Sequence, residues 1–210
     1  MLPIQELLIF AFAAFTLAIS PGPNMIYLIS RTISQGKRAG LLSLMGVICG
    51  FLMHIALVSF GLTALLLAVP LAYIVLKWIG VSYLLYLAWQ AVKPSAKSLF
   101  ETTTLPDDSD GRLFSIGFLT NALNPKMAVF YLSLFPQFIH PEYGSPLLQS
   151  LLLGLTQIII SFSVNFMVIS TAGLAANFFK EKPQFIRIQK WFMGGILTAL
   201  AVRMALVERK

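Results

Sequence analysis

The chain has 210 residues, 58% apolar and 11% charged, with a mean hydropathy of +0.83; soluble domains run at roughly 45–50% apolar and about 25% charged. A soluble core has no room for so much apolar surface, so lipid must be the solvent for much of it. The net charge of +7, from 15 Lys+Arg against 8 Asp+Glu, sits in short gaps between apolar runs, which argues against a nucleic-acid partner and for spans flanked by cations.

Met1 to Glu6 brings no Lys or Arg ahead of the first apolar run, so a cleaved signal peptide is not expected and the first segment should be retained. Leu7 to Ser30 is uncharged for 24 residues and forms the first expected span. Ala39 to Leu76 is uncharged for 38 residues, too long for one crossing. Gly61 and Pro70 offer the fold-back, giving a second helix near 39–62 and a third near 71–92. The interval 93–112 holds Lys93, Pro94, Lys97, Glu101, Pro106, Asp107, Asp108 and Asp110, a water-soluble composition that reads as a central loop. Leu113 to Ile139 is a fourth span, Pro141 to Phe179 contains a fifth after a Pro-Gly turn, and Arg187 to Val207 is a sixth. Each has about the 20 residues needed to cross roughly 30 Å of hydrocarbon. The expected fold is therefore an all-α membrane protein of six transmembrane helices, with residues 1–92 as one three-helix half, 93–112 as a cytoplasmic polar loop and 113–210 as the other half.

Ten basic residues fall in the loops after spans one, three and five, including Arg31, Lys37, Arg38, Lys93 and Arg112, and three (Arg203, Arg209, Lys210) on the opposite side. The positive-inside rule then puts Asp108 in the cytoplasm and both termini outside. Lys77 near the start of span three can snorkel to the interface. Cys49 is the only cysteine, so disulfides and cysteine metal sites are excluded and it reads as a small core residue. No cofactor is called for.

Two spans carry breaks. Ser20-Pro21-Gly22-Pro23-Asn24 lies in the last third of span one, and Asn124-Pro125-Lys126 in the middle of span four. Each proline removes a backbone donor, which frees the carbonyls of Leu17, Ile19 and Asn121. Pro23 and Pro125 are 102 residues apart, about half the chain. Because each half has three spans, the second must enter the membrane from the other side, the pattern of inverted repeats with helices 1 and 4 broken at the midplane. Prolines also kink spans without any function; two breaks at matching positions, one beside a charge, favour a site. Lys126 has 13 uncharged residues on either side, and a charge at that depth costs at least about 2.5–3.5 kcal/mol. No Asp or Glu lies in any expected span interior to pair with it, so its ammonium should face a polar cavity and meet an anionic group of a solute.

Span two stacks Ser43, Gly46, Gly50 and His54, and span five stacks Gly154, Gln157, Ser161, Asn165 and Thr171, on one face each. Helix packing accounts for the glycines. His54, Gln157, Ser161 and Asn165 are candidates for lining a path, and His54 for coupling to protons. His140 at a span end reads as interfacial.

The ordered set Ser20-Pro21-Gly22-Pro23-Asn24, Gly36, Gly40 and Gly46, Leu76-Lys77-Trp78-Ile79-Gly80-Val81-Ser82-Tyr83-Leu84-Leu85-Tyr86-Leu87, Asn121-Ala122-Leu123-Asn124-Pro125-Lys126 and Phe135-Pro136-Gln137-Phe138 resembles the LysE/RhtB family of bacterial amino-acid exporters over nearly the whole chain. The resemblance implies export of amino acids or close derivatives across the inner membrane by proton antiport. Many members carry an Asp near the position of Gly50-Phe51, and some an acid near Ser161. This chain has neither, so lysine and arginine are not expected as solutes, and homoserine, threonine, leucine-like solutes or a lactone stay open.

The substrate-binding set expected from the breaks is Pro21, Gly22, Pro23, Asn24, Asn121, Asn124, Pro125 and Lys126. The expected partners are an amino-acid solute and the bilayer, with self-association left open. The rival readings are an intramembrane enzyme, a non-transporting accessory subunit or an exporter of another small metabolite. No HExxH, paired carboxylates or Ser/His/Asp set lies within the spans, so catalysis has almost nothing to work with.

Overall fold

Proline and glycine set the helix ends in the computed structural model, which describes residues 2–20, 22–62, 70–93, 106–181 and, near the C-terminus, 191, 194–195, 197–199, 201–202 and 204–206. Helix α1 (Ile4–Ile19) stops before the first break and α2 (Pro23–Gln35) restarts with proline in its first turn, where the missing N–H is not needed. The two are bent by 51°. Pro21 lies outside the described residues. Gly36, at φ 87°, turns the chain into α3 (Lys37–Leu57), which ends in a π-helical turn, Val58–Leu62. Helix α4 spans Pro70–Val92.

The second half begins with α5 (Asp110–Ala122) and breaks at Leu123 and Asn124 before α6 (Pro125–Val129). From there the chain runs through a π-helical turn, Phe130–Leu134, and a 3-10 turn, Phe135–Phe138. Pro136 supplies a reason for the irregularity, since it cannot donate to a carbonyl one turn back. Helix α7 covers Pro146–Glu181, and a short apolar helix, α8, covers Leu197–Leu206.

The fold is all-helical, with no strand among the described residues. Lys37–Phe60 and Pro146–Ala172 are each long and apolar enough to cross a bilayer, and the bent α1–α2 pair makes a third span if counted as one. Both expected breaks fall where the prolines place them. Much of the expected sixth span lies outside the described residues, as do residues 94–105 of the central loop. Four residues counted as loop charges lie in helices instead: Arg31 in α2, Lys37 and Arg38 in the first turn of α3, and Arg112 in the first turn of α5.

The most extensive helix pair among the described residues is α3 with α5, and small residues explain it. A Cβ on Gly46 would meet the Phe114 carbonyl and the Phe118 amide, and one on Gly117 would meet the Ser43 carbonyl. The two helices cross backbone to backbone, as small residues permit in membranes. Helix α7 packs on α1, α2 and α3, and α4 packs on the π-helical turn after α6. Phe10, Phe130, Phe135 and Phe138 form a buried aromatic cluster where α1 meets the 3-10 turn.

Candidate functional site

The two breaks meet. Asn124 Nδ2 donates to Asn24 Oδ1 at 3.2 Å, joining residues 100 positions apart. The Asn124 side-chain oxygen also accepts the Lys126 backbone N–H at 3.0 Å, capping the restarted helix. Lys126 is 6% exposed, and its Nζ donates to the Ser20 carbonyl at 2.6 Å. The carbonyl that satisfies the ammonium is therefore at the end of α1, on the other side of the break that Pro23 creates. Among the described residues no carboxylate pairs with Lys126. A Cβ added to Gly22 would come within 3.2 Å of Nζ, so only a glycine leaves the ammonium ordinary clearance.

A small cavity lies beside this cluster, lined by Gly22, Asn24, Asn124, Lys126, Gln157, Ser161 and Asn165 among others. Gln157 and Ser161 are bonded at 2.9 Å, and Asn165 Nδ2 donates to the Ser161 carbonyl at 2.7 Å. The buried Gln157 Oε1 accepts no hydrogen bond among the described residues, which leaves an acceptor for a cation. Only about 20 Å³ is open to the centre of a water molecule, the room of roughly one water. The space does not admit a molecule of amino-acid size in this conformation.

The sequence candidates divide on this geometry. Gly22, Asn24, Asn124, Lys126, Gln157, Ser161 and Asn165 share one cavity. Pro23 and Pro125 flank it as the first residues of α2 and α6. Asn121 departs from the expectation: it is fully buried, and its carbonyl is already bonded to the Asn124 N–H at 3.0 Å, so the tight turn re-satisfies the group that Pro125 frees. His54 does not line the cavity; its ring stacks on Tyr131 at 5.1 Å and its Nε2 lies 3.3 Å from the Asn121 carbonyl. The stripe on α3 is thus a packing face against α5, whereas on α7 Gln157, Ser161 and Asn165 face the site, Gly154 packs on Ile55 and Thr171 is exposed. Leu17, whose carbonyl the sequence singles out as freed by the break, also lines the cavity, whereas Ala18, Ser20, Met25, Phe51 and Met127 were not expected in the lining. A signal for Ser20 was present, since it ends the helix that Pro21 and Pro23 interrupt.

A second polar cluster closes one end of the bundle. Arg31 pairs with Asp108, whose side chain is 3% exposed, Arg112 reaches the same carboxylate at 3.1 Å, and Arg31 donates to the Pro106 carbonyl at 3.0 Å. Arg38 bonds Asp110. At the turn before α7, Gln149 bonds the backbone of His140 and Gly144, and His140 lies 3.4 Å from Glu142.

A family model described as LysE type translocator matches residues 15–208. The chain belongs to this family. It is 35% identical over 176 residues, 84% of each chain, to a homoserine/homoserine lactone efflux protein of Salmonella typhimurium, and equally to one of Salmonella typhi. It is 34% identical to an uncharacterized membrane protein of Vibrio cholerae, over 94% of this chain and 98% of that one. No solved structure matches it. As a LysE type translocator it is a membrane transport protein and not an enzyme, and its partners are a small-molecule solute and the lipid bilayer.

Proposed function

We propose that this translocator exports neutral amino acids or close derivatives, homoserine and its lactone among them, from the cytoplasm across the bacterial inner membrane in exchange for protons. The observation that carries the reading is the Lys126 ammonium held on the Ser20 carbonyl where the two helix breaks meet, beside the Asn24–Asn124 pair. A zwitterion's carboxylate, or in the lactone the ester carbonyl, would take the ammonium from the Ser20 carbonyl, with Asn24, Asn124 and the N–H groups of the restarting helices beside it. Its own ammonium would then be held by the released Ser20 carbonyl and by Gln157 Oε1. The Salmonella relatives named as homoserine/homoserine lactone efflux proteins support a small neutral solute.

The repeat architecture belongs to this proposal: six spans, with residues 1–92 and 113–210 as inverted three-helix halves around the cytoplasmic loop 93–112. The packing supports it reciprocally. The second element of each half lies on the broken element of the other, α3 on α5 and α7 on α1 and α2. Rocking the halves about the break would alternate access. His54, one helix over at the Asn121 carbonyl, is the proposed proton carrier, and an inward proton supplies about 2.3 kcal/mol per 100 mV.

The charge selectivity follows from the lining. Among the described residues no acid lines the cavity to hold a cationic side chain, so purified protein in liposomes with an imposed pH gradient should move labelled homoserine or leucine and leave lysine and arginine behind. Lysine transport at a comparable rate overturns the selectivity, and movement of no amino acid by the chain alone supports an accessory role.

Orientation has its own test. Asp108 is buried against Arg31, so exposed Asp107 is the better reporter. A cysteine there, in a Cys49→Ser background, should resist an impermeant thiol reagent in intact cells and react after the membrane is opened. Labelling in intact cells would reverse the assignment.

A further inference from the structure

We propose that α2 is the gate helix: it swings between hinges at Gly22 and Gly36, and the Arg31–Asp108 ion pair latches it closed over the way to Lys126. This rests on the reading of the cavity at Lys126 as the solute site, and it names the element that moves to admit a solute there. One face of α2 carries Asn24, Tyr27, Arg31 and Gln35 at helical spacing. All four bond to residues 106–124, in antiparallel order. Asn24 accepts from Asn124, and the Tyr27 hydroxyl donates to the Leu113 carbonyl at 2.9 Å. Arg31 pairs with Asp108 and donates to the Pro106 carbonyl at 3.0 Å, and Gln35 Nε2 donates to the Asp108 carbonyl at 3.0 Å. The seam thus starts in the cavity lining and ends at the last turn of α2.

A polar seam suits a contact that opens to water. When α2 leaves, each group exchanges a protein partner for water, and the separated ion pair recovers the hydration that burial took from it. Parted apolar surface has no such return. On the α1 side of the break the bundle is closed by packed rings instead, those of Phe10, Phe130, Phe135 and Phe138. The latch is also incompletely satisfied, because the buried Arg31 Nε finds no acceptor among the described residues, and an unpaired buried donor favours release. Both ends of α2 can turn. Gly22 stands at the 51° bend, against the Lys126 ammonium, and Gly36 has φ 87° with nothing within 4 Å of a Cβ, the freedom and space a hinge needs. Helix α5 cannot follow α2, since Gly46 and Gly117 hold it backbone to backbone on α3. Helix α2 packs more extensively on α3 and α7 than on α5, so the polar face is the one that parts.

The test uses the full chain in a Cys49→Ser background and has two arms. In liposomes, Gln35→Cys and Asp107→Cys, which flank the Gln35–Asp108 bond, are joined by a short bifunctional thiol reagent containing a disulfide. Linking should lower efflux of labelled homoserine about tenfold or more against the unlinked sample, and reductive cleavage should restore it. Full efflux from the linked protein overturns the gate. In membrane vesicles of known sidedness, Ser161→Cys reports access to the cavity. Asp108→Asn should raise its modification rate about fivefold or more, for an impermeant thiol reagent added on the face where a cysteine at position 107 reacts. Ser150→Cys, at a fully buried position near the start of α7, should stay unreactive, which separates a parted seam from general loosening. Unchanged labelling of Ser161→Cys, or an equal rise at Ser150→Cys, overturns the latch. Neither arm alters Lys126, so the gate can fail while Lys126→Ala is dead and the carboxylate site stands. Wild-type efflux from Lys126→Ala removes that site whatever α2 does.

Discussion

Lys126→Ala is expected to lower export by about 10- to 100-fold while leaving as much protein in the membrane as wild type. The stability side is a difference of two terms. Removing the ammonium leaves the Ser20 carbonyl without its 2.6 Å donor, at about 1–3 kcal/mol for an unsatisfied buried group. It also removes a charge whose placement at membrane depth costs at least about 2.5–3.5 kcal/mol and that no carboxylate among the described residues offsets. The two nearly cancel or favour the variant, so abundance should hold. The functional side has no such compensation, because a solute carboxylate would enter a closed chamber without a counter-charge, losing about 1.5–3 kcal/mol of charged hydrogen bonding. Lys126→Met, close in length, should behave the same way, and Lys126→Arg should keep the charge but misplace it against Gly22, giving partial export. The measurement is efflux of a preloaded labelled amino acid beside the membrane content of each variant. Wild-type efflux from the Ala and Met variants at equal abundance would remove Lys126 from the site, and loss of the protein itself would make the lysine structural.

How far the sequence discloses this site depends on the kind of signal each residue leaves. Pro23, Pro125 and Lys126 are conspicuous because each breaks a rule of its surroundings, a missing donor or a charge at mid-span, and the helix breaks fall where those rules place them. The faces on α3 and α7 look alike in sequence, both small and polar at helical spacing. A stripe specifies which side of a helix is distinctive but not which neighbour covers it. Gly46 and Gly50 on α3 meet α5, with a Cβ on Gly50 reaching 2.6 Å from Asn121 Cβ, whereas Gln157, Ser161 and Asn165 on α7 meet the breaks. The ion pair of Arg31 with Asp108 leaves no local signal, since the partners are far apart in the sequence. The irregular run from Phe130 to Phe138 is foreshadowed by Pro136 alone. Asn121 shows the opposite failure: the carbonyl freed by Pro125 was predicted, but a tight turn inside the break bonds it again, so a lost helical partner is not the same as a vacant acceptor.

Gly46→Val is expected to do the reverse of Lys126→Ala, removing the folded protein before transport is in question. A Cβ at position 46 would overlap the Phe114 carbonyl and the Phe118 amide, with the Phe114 carbonyl carbon 2.9 Å away. These are backbone atoms of α5 and have no rotamer by which to withdraw, so the helices must separate. That separation is costly here because α3 and α5 form the most extensive pair in the bundle and carry His54 and Asn121 in contact. Overpacking of this kind costs typically about 1–3 kcal/mol and more where backbone is displaced, and the two branch methyls of valine add to it. The graded series Gly46→Ala, then Gly46→Val, should lower melting temperature and membrane content stepwise. Gly117→Val should match it from the other side, since its Cβ would strike the Ser43 carbonyl. Gly111→Ala is the control, because nothing lies within 4 Å of a Cβ at that position in α5 and replacing a helical glycine there should be neutral or stabilising by up to about 1 kcal/mol. Wild-type melting and abundance for both Val variants would show that α3 and α5 do not cross at these two glycines.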